Sequence, residues 1–223
     1  MDMSSATHAG RAQGANPHVE LVSTRRLLAA GLIAGPLYMI IGTIQAVTRD
    51  GFDISRHAWS MLTLGSYGWV QTLNFLATGL LIIAAATGLR RATGSHWASR
   101  LLTVHGLGVM AAGVFVPDPA LGFPPGAPEE TQAISWHAIV HFTVGGLGFI
   151  CFIAACFVMA RMFSRHGDRA RAGLSRVTGT IFLAAFAGIA SGSTGPATLA
   201  FVGAILLSFV WLTATCHWAY ARL

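Results

Sequence analysis

Long apolar stretches dominate the chain, and short segments that carry arginine or Pro and Gly separate them. A helix needs about 20 predominantly apolar residues to cross the hydrocarbon core of a bilayer. Six stretches come near this length, at positions 27–47, 69–89, 101–116, 136–160, 174–190 and 197–220. The pattern predicts an all-α fold, a polytopic transmembrane bundle of six helices.

The beginning of the chain has a different character. Residues 1–24 are mostly polar or small and lack the apolar core of a cleavable signal peptide. We therefore expect residues 1–24 to form a flexible cytoplasmic tail and residues 25–223 to form one transmembrane domain.

The arginines predict the orientation of the bundle. If the six stretches are spans, twelve arginines fall on the side of both chain ends, and only Arg49 and Arg56 fall on the other side. Short cytoplasmic loops carry the excess of positive charge in membrane proteins. We therefore expect both termini in the cytoplasm, in a multi-pass protein of the inner (plasma) membrane whose main partner is the lipid bilayer.

Composition excludes other classes of protein. The chain is 54% hydrophobic and only 10% charged, whereas soluble domains are about 25% charged. The net charge is +6, but the arginines lie between apolar stretches rather than among aromatic residues on a soluble face, which argues against a nucleic-acid partner. Three cysteines, all inside apolar stretches, give no disulfide framework.

Polar residues gather at the predicted outer ends of the spans. Polar or ionisable groups inside a span are costly and often functional. The candidate residues of an outward-facing ligand pocket are Gln71, Asn74, Asp118, His137 and His141.

Part of this group is also a candidate zinc site. His137 and His141 are four residues apart and share one face of a helix. With Asp118 and His57 they make a histidine and carboxylate set that suits Zn²⁺, and an open position on the metal would support hydrolysis by a bound water. No Glu lies between the two histidines, unlike in HExxH.

The alternative is a structural role for the same residues. His137 would then face lipid headgroups, and His141 would bond to Asn74 or Gln71 in a satisfied polar core. Two functions stay open: a metal-binding or small-ligand-binding protein, such as a zinc-dependent hydrolase, and a non-enzymatic sensor, lipid-binding or accessory protein. No catalytic residue is assigned.

Two features lie toward the predicted cytoplasmic side. His105 and His217 are expected near the inner ends of spans three and six, in packing or interfacial roles, with axial haem ligation as the alternative. The connection at 161–176 holds five arginines. It is typical of a cytoplasmic loop, and the alternative interpretation is a loop that contacts anionic lipid headgroups.

Three segments resemble a known family. They are SMLTLGSYGWVQTLNFLATG from Ser60 to Gly79, AGVFVPDPALGFPPG after the third span, and SWHAIVHFTVGGLGF at the fourth. They are similar to the uncharacterised bacterial membrane family called domain of unknown function 998. The resemblance implies a six-span fold and no assigned activity, and its polar signature falls on Gly68, Trp69, Gln71, Asn74, Asp118, Pro119, His137 and His141.

Overall fold

A computed structural model describes residues 17–130, 133–192 and 195–223 of the protein. These residues form six α-helices and one short 3-10 helix. The α-helices are α1 (Pro17–Thr48), α2 (Gly68–Thr93), α3 (His96–Val114), α4 (Trp136–Arg165), α5 (Arg169–Ala190) and α6 (Pro196–Tyr220), and the 3-10 helix is Trp59–Thr63. The all-α prediction is confirmed.

Each predicted span corresponds to one helix, but the helices extend further at the arginine-rich ends. Helix α1 begins at Pro17, so residues 17–24 are helical, and residues 1–16 lie outside the described residues. Helix α2 continues through Arg90 and Arg91. Basic side chains in a last turn interact favourably with the helix dipole, so a helix does not have to stop where its apolar run ends.

Five helices are long and apolar enough to cross a membrane by length and composition, namely α1, α2, α4, α5 and α6. Helix α3, with 19 residues, is the exception. Its polar residues His96, Arg100 and His105 lower its hydropathy. The structure therefore shows a helical protein of membrane type, with α3 less apolar than its neighbours.

The six helices form a closed ring in chain order. Each helix packs on its neighbours in sequence, α6 returns to pack on α1, and α2 also reaches α6. The beginning of α1 meets the end of α6, where the Arg25 guanidinium lies over the Tyr220 ring at 5.5 Å. We call this end of the ring the terminus end, and the opposite end, with the 3-10 helix and residues 115–130, the loop end.

The half of the ring near the terminus end is filled by a packed core. Phe152 of α4 contacts Phe182 of α5, with ring centroids 5.0 Å apart, and Trp211 of α6 at 5.4 Å. The Trp211 indole N–H donates to the Ser175 hydroxyl at 2.9 Å, so this buried donor is satisfied.

A histidine-lined cavity as the candidate functional site

A cavity of about 620 Å³ lies inside the ring. All six helices and the 3-10 helix contribute to its lining, which is mainly aromatic and aliphatic, with Phe75, Phe149, Phe186 and Phe201 among the lining residues. Pockets that hold small molecules measure about 300–1,000 Å³ and are largely apolar with a few polar groups. The cavity therefore has the size and the character of a ligand site.

The exposed lining residues mark the mouth of the cavity. Four lining residues are exposed: Ile134 just before α4, Phe142 in its second turn, Ala190 at the end of α5 and Gly192 just after it. The cavity thus opens between α4 and α5 near the loop end.

His105 forms one polar part of the wall. It lies in the middle of α3, is buried, and its Nδ1 lies 3.1 Å from the carbonyl oxygen of Gly148 on α4. A carbonyl only accepts, so Nδ1 carries the hydrogen and donates it. Phe152 packs on the ring at 5.2 Å.

His141 forms the second polar part. It lies on α4, and its Nδ1 donates to the carbonyl oxygens of Ala112 at 2.9 Å and Phe115 at 2.7 Å. These carbonyls lie at the end of α3, where the backbone has no further helical donors to offer. His141 therefore caps α3 from the neighbouring helix.

Glycine allows α3 and α4 to approach closely enough for both bonds. A Cβ atom at Gly108 would lie 2.8 Å from the carbonyl oxygen of Val144 and 3.1 Å from the Cα of Gly148. Small residues permit such backbone contact between membrane helices. The absence of a side chain at position 108 thus brings each histidine within reach of the opposite helix.

Both histidines keep one nitrogen for a ligand. Across the residues that the structure describes, the Nδ1 atoms are bonded and nothing donates to Nε2 of either ring. In a neutral imidazole protonated at Nδ1, Nε2 is a hydrogen-bond acceptor. The cavity wall of α3 and α4 therefore presents two acceptors in apolar surroundings.

Gln71 and Asn74 lie elsewhere, in a buried network between α1 and α2. Gln45 Nε2 donates to Gln71 Oε1 at 2.7 Å, and Asn74 Nδ2 donates to Gln71 Oε1 at 3.2 Å and to the Tyr38 carbonyl oxygen at 3.1 Å. Neither Gln71 nor Asn74 lines the cavity. Their amides instead tie α2 to α1.

Asp118 lies in the connection after α3 and holds the beginning of α4. Its Oδ2 accepts the backbone N–H of Ser135 at 2.7 Å, and the Ser135 hydroxyl accepts the N–H of Ala138 at 3.2 Å. Hydrogen bonding to Ser135 lowers the pKa of Asp118, with a smaller contribution from the charge of His137. Asp118 therefore acts at an N-cap, where a carboxylate is stabilising.

The two remaining candidate histidines have different surroundings. His137 is exposed, and its ring lies on Trp136 with centroids 3.6 Å apart. His57 is 1% exposed, accepts the Asp53 N–H at Nδ1 (2.9 Å) and donates from Nε2 to the Leu121 carbonyl oxygen (2.9 Å). His57 thus joins the two long connections of the loop end.

The structure does not assemble the proposed zinc ligands. Both ring nitrogens of His57 are hydrogen-bonded, and the Asp118 carboxylate accepts from Ser135. The Nδ1 atom of His141 donates to the Ala112 carbonyl oxygen of α3. In residues 17–130, 133–192 and 195–223, no group of three or more His, Cys, Asp or Glu side chains is arranged to hold a metal. These residues do not fit one shared zinc ion, and zinc binding stays a prediction without geometric support.

One residue of the cavity was not expected from the sequence. Of the predicted pocket, only His141 lines the cavity, together with His105, which was expected near the inner end of its span. His217 lies near the end of α6 and borders a different groove, so the haem pair is not brought together. The sequence offers no signal for these contacts, because both histidines bond to backbone carbonyls, which every residue type supplies.

Comparison with known proteins places the chain in a family. Neither the curated proteins nor the solved structures gave a significant match. A family model matches residues 32–218, which includes all the residues of the resemblance noted above. The chain belongs to the family described as protein of unknown function (DUF998).

Proposed function

We propose that this protein binds a small amphipathic molecule, an apolar chain that carries a hydroxyl or similar donor, in the histidine-lined cavity. The observation that carries the proposal is that the Nε2 atoms of His105 and His141 have no hydrogen-bond partner in the described part of the chain, and that both rings line a largely apolar cavity of about 620 Å³. A donor group on the ligand would form a hydrogen bond with one of these Nε2 acceptors, and the apolar chain would fill the rest of the cavity. The function is binding, as in a lipid-binding or sensor protein.

The position of the mouth supports a ligand from the membrane. Ile134 and Phe142 at the mouth are 64% and 62% exposed, and exposed large apolar side chains suit contact with lipid. An amphipathic molecule in the bilayer would reach the cavity without crossing water.

The orientation proposed with this function places the loop end outside the cell. Helix α3 lies between α2 and α4 and exposes Leu107, so we infer that it crosses the membrane with them. The two arginines of the loop end both have partners, so they add little free positive charge to that end. Arg49 donates to the carbonyls of Leu62 and Leu64, and Arg56 pairs with Glu129 at 2.6 Å.

Reporter fusions after Arg91, Ala127, Arg171 and Leu223 test this orientation. Only the Ala127 fusion should report the outside.

The binding test uses a photoreactive long-chain alcohol that carries a diazirine. After illumination of the purified protein in detergent, we expect labelled peptides at 142–149 and 186–192, and competition by unlabelled hexadecanol. Gly145 lines the cavity and nothing lies within 4 Å of a Cβ placed there, so Gly145→Leu fills the space without a backbone clash. Labelling should fall at least about fivefold.

Gly203→Leu is the matched control. Gly203 is an exposed residue of α6 outside the cavity lining, and a Cβ there also meets nothing within 4 Å. This variant should label like the natural protein. Equal labelling of all three proteins, or labels spread over the lipid-facing surfaces without competition, would refute the proposed function.

A further inference from the structure

A second hollow lies on the outer surface of the ring and shares only Met39 and Phe209 with the lining of the cavity. It is a groove of about 980 Å³ whose floor is α6 and whose walls come from α1 and the beginning of α5. Most of its lining is aliphatic or aromatic, including Leu32, Met39, Leu206, Phe209 and Val210. At the terminus end, the groove is bordered by Arg171 and His217.

The length of the groove corresponds to one leaflet of a bilayer. The floor runs from Leu206 to His217 of α6, which is eleven residue steps or about 16 Å at 1.5 Å per residue. Half of the hydrocarbon core is about 15 Å thick. An acyl chain that lies along the groove would therefore end near Leu206 with its headgroup at Arg171 and His217.

Positive charge collects at the headgroup end. Arg171 and Arg222 both lie over the Trp218 ring, at 6.0 and 4.7 Å, and Trp218 follows His217 in α6. Asp168 at the beginning of α5 pairs with Nη1 of Arg171. A guanidinium has five N–H donors, so Arg171 keeps donors for a second anion.

We propose that this groove binds one anionic membrane phospholipid, with an acyl chain against α6 and the phosphate at Arg171 and His217. The apolar floor favours lipid, the length matches a leaflet, and the excess of positive charge selects an anionic headgroup. Guanidinium groups bind phosphate oxygens through charge-assisted, frequently bidentate hydrogen bonds. This site is independent of the ligand proposed for the cavity.

The test counts lipids bound to the delipidated full-length chain by native mass spectrometry. The protein is titrated separately with phosphatidylglycerol, phosphatidylcholine and inorganic phosphate. We expect one tightly bound phosphatidylglycerol, at least about fivefold weaker binding of phosphatidylcholine, and no competition from phosphate at millimolar concentration. The variant Arg171→Gln/His217→Gln should bind phosphatidylglycerol at least about fivefold more weakly.

Two further variants separate the groove from general charge. Arg165→Gln/His166→Gln removes the same residue types from exposed positions at the terminus end, outside the groove, and should bind as the natural protein does. Ala214→Phe fills the groove and keeps Arg171 and His217, and it should also weaken binding. Equal affinities for the two lipids, or equal losses in the groove variant and its control, would overturn the proposal. Displacement by free phosphate would point to an anion site without lipid and would also overturn it.

Discussion

His105 and His141 hold α3 and α4 together in a reciprocal arrangement. Each ring donates from Nδ1 to a carbonyl of the opposite helix, His105 to Gly148 and His141 to Ala112. Ala112 lies seven residues after His105, and Gly148 lies seven residues after His141. Seven residues are about 10 Å along a helix, so the two bonds pin the helices at two heights and leave both Nε2 atoms for a ligand.

Loss of either ring should loosen the α3–α4 pair. Hydrogen bonds between membrane helices contribute about 0.6 kcal/mol on average and up to about 1.7. We expect His105→Ala and His141→Ala to reduce stability by about 1 kcal/mol each, with a larger loss for His141, which donates to two carbonyls. Thermal unfolding in detergent measures this. Unchanged stability in both variants would contradict the reciprocal bonds.

A methyl group at position 108 should separate the same helices. The Cβ of Gly108→Ala would lie 2.8 Å from the Val144 carbonyl oxygen, and overpacking of this kind costs about 1–3 kcal/mol. We expect lower stability and weaker labelling by the photoreactive alcohol. Gly203→Ala, where the added Cβ meets nothing within 4 Å, is the control and should keep both properties. A stable, fully labelled Gly108→Ala protein would be evidence against the close approach.

The stabilisation that Asp118 provides should be lost in acid. Its pKa is lower in the folded protein, because Ser135 bonds to the carboxylate. The stabilisation is therefore fully present above the unfolded pKa of about 3.9 and is lost as the pH falls through the lower folded pKa. Thermal unfolding should show a difference between the natural protein and Asp118→Ala at pH 7 that shrinks below pH 4. A constant difference over this range would show that the charge has no such role.

His137 should be dispensable for both stability and metal content. It is exposed and bonded to no other helix in the described chain, and substitutions at such positions change stability by less than about 0.5 kcal/mol. After incubation with zinc at neutral pH, elemental analysis should give the same low zinc content for the natural protein, His137→Ala and His141→Ala. One zinc per natural chain, lost in both variants, would restore the metal site.

The apolar stretches predicted the number of the helices and their approximate positions along the chain, because the length of an apolar run follows directly from the thickness of the bilayer. The site was harder to predict. The polar side chains of this region bond to backbone groups. The pairs are His57 with Leu121, His105 with Gly148, Asp118 with Ser135, and His141 with Ala112. Backbone donors and acceptors look the same at every position of a sequence, so side-chain types alone suggested a shared metal instead.

Selective labelling of histidine with ¹⁵N tests the central claim most directly. NMR spectra of the purified protein should show His105 and His141 protonated at Nδ1, and hexadecanol should shift the Nε2 resonance of at least one of them while that of the exposed His137 stays in place. Gly145→Leu should remove this response. Nε2 resonances of His105 and His141 that do not respond to hexadecanol in the natural protein would contradict a ligand cavity built on these two histidines.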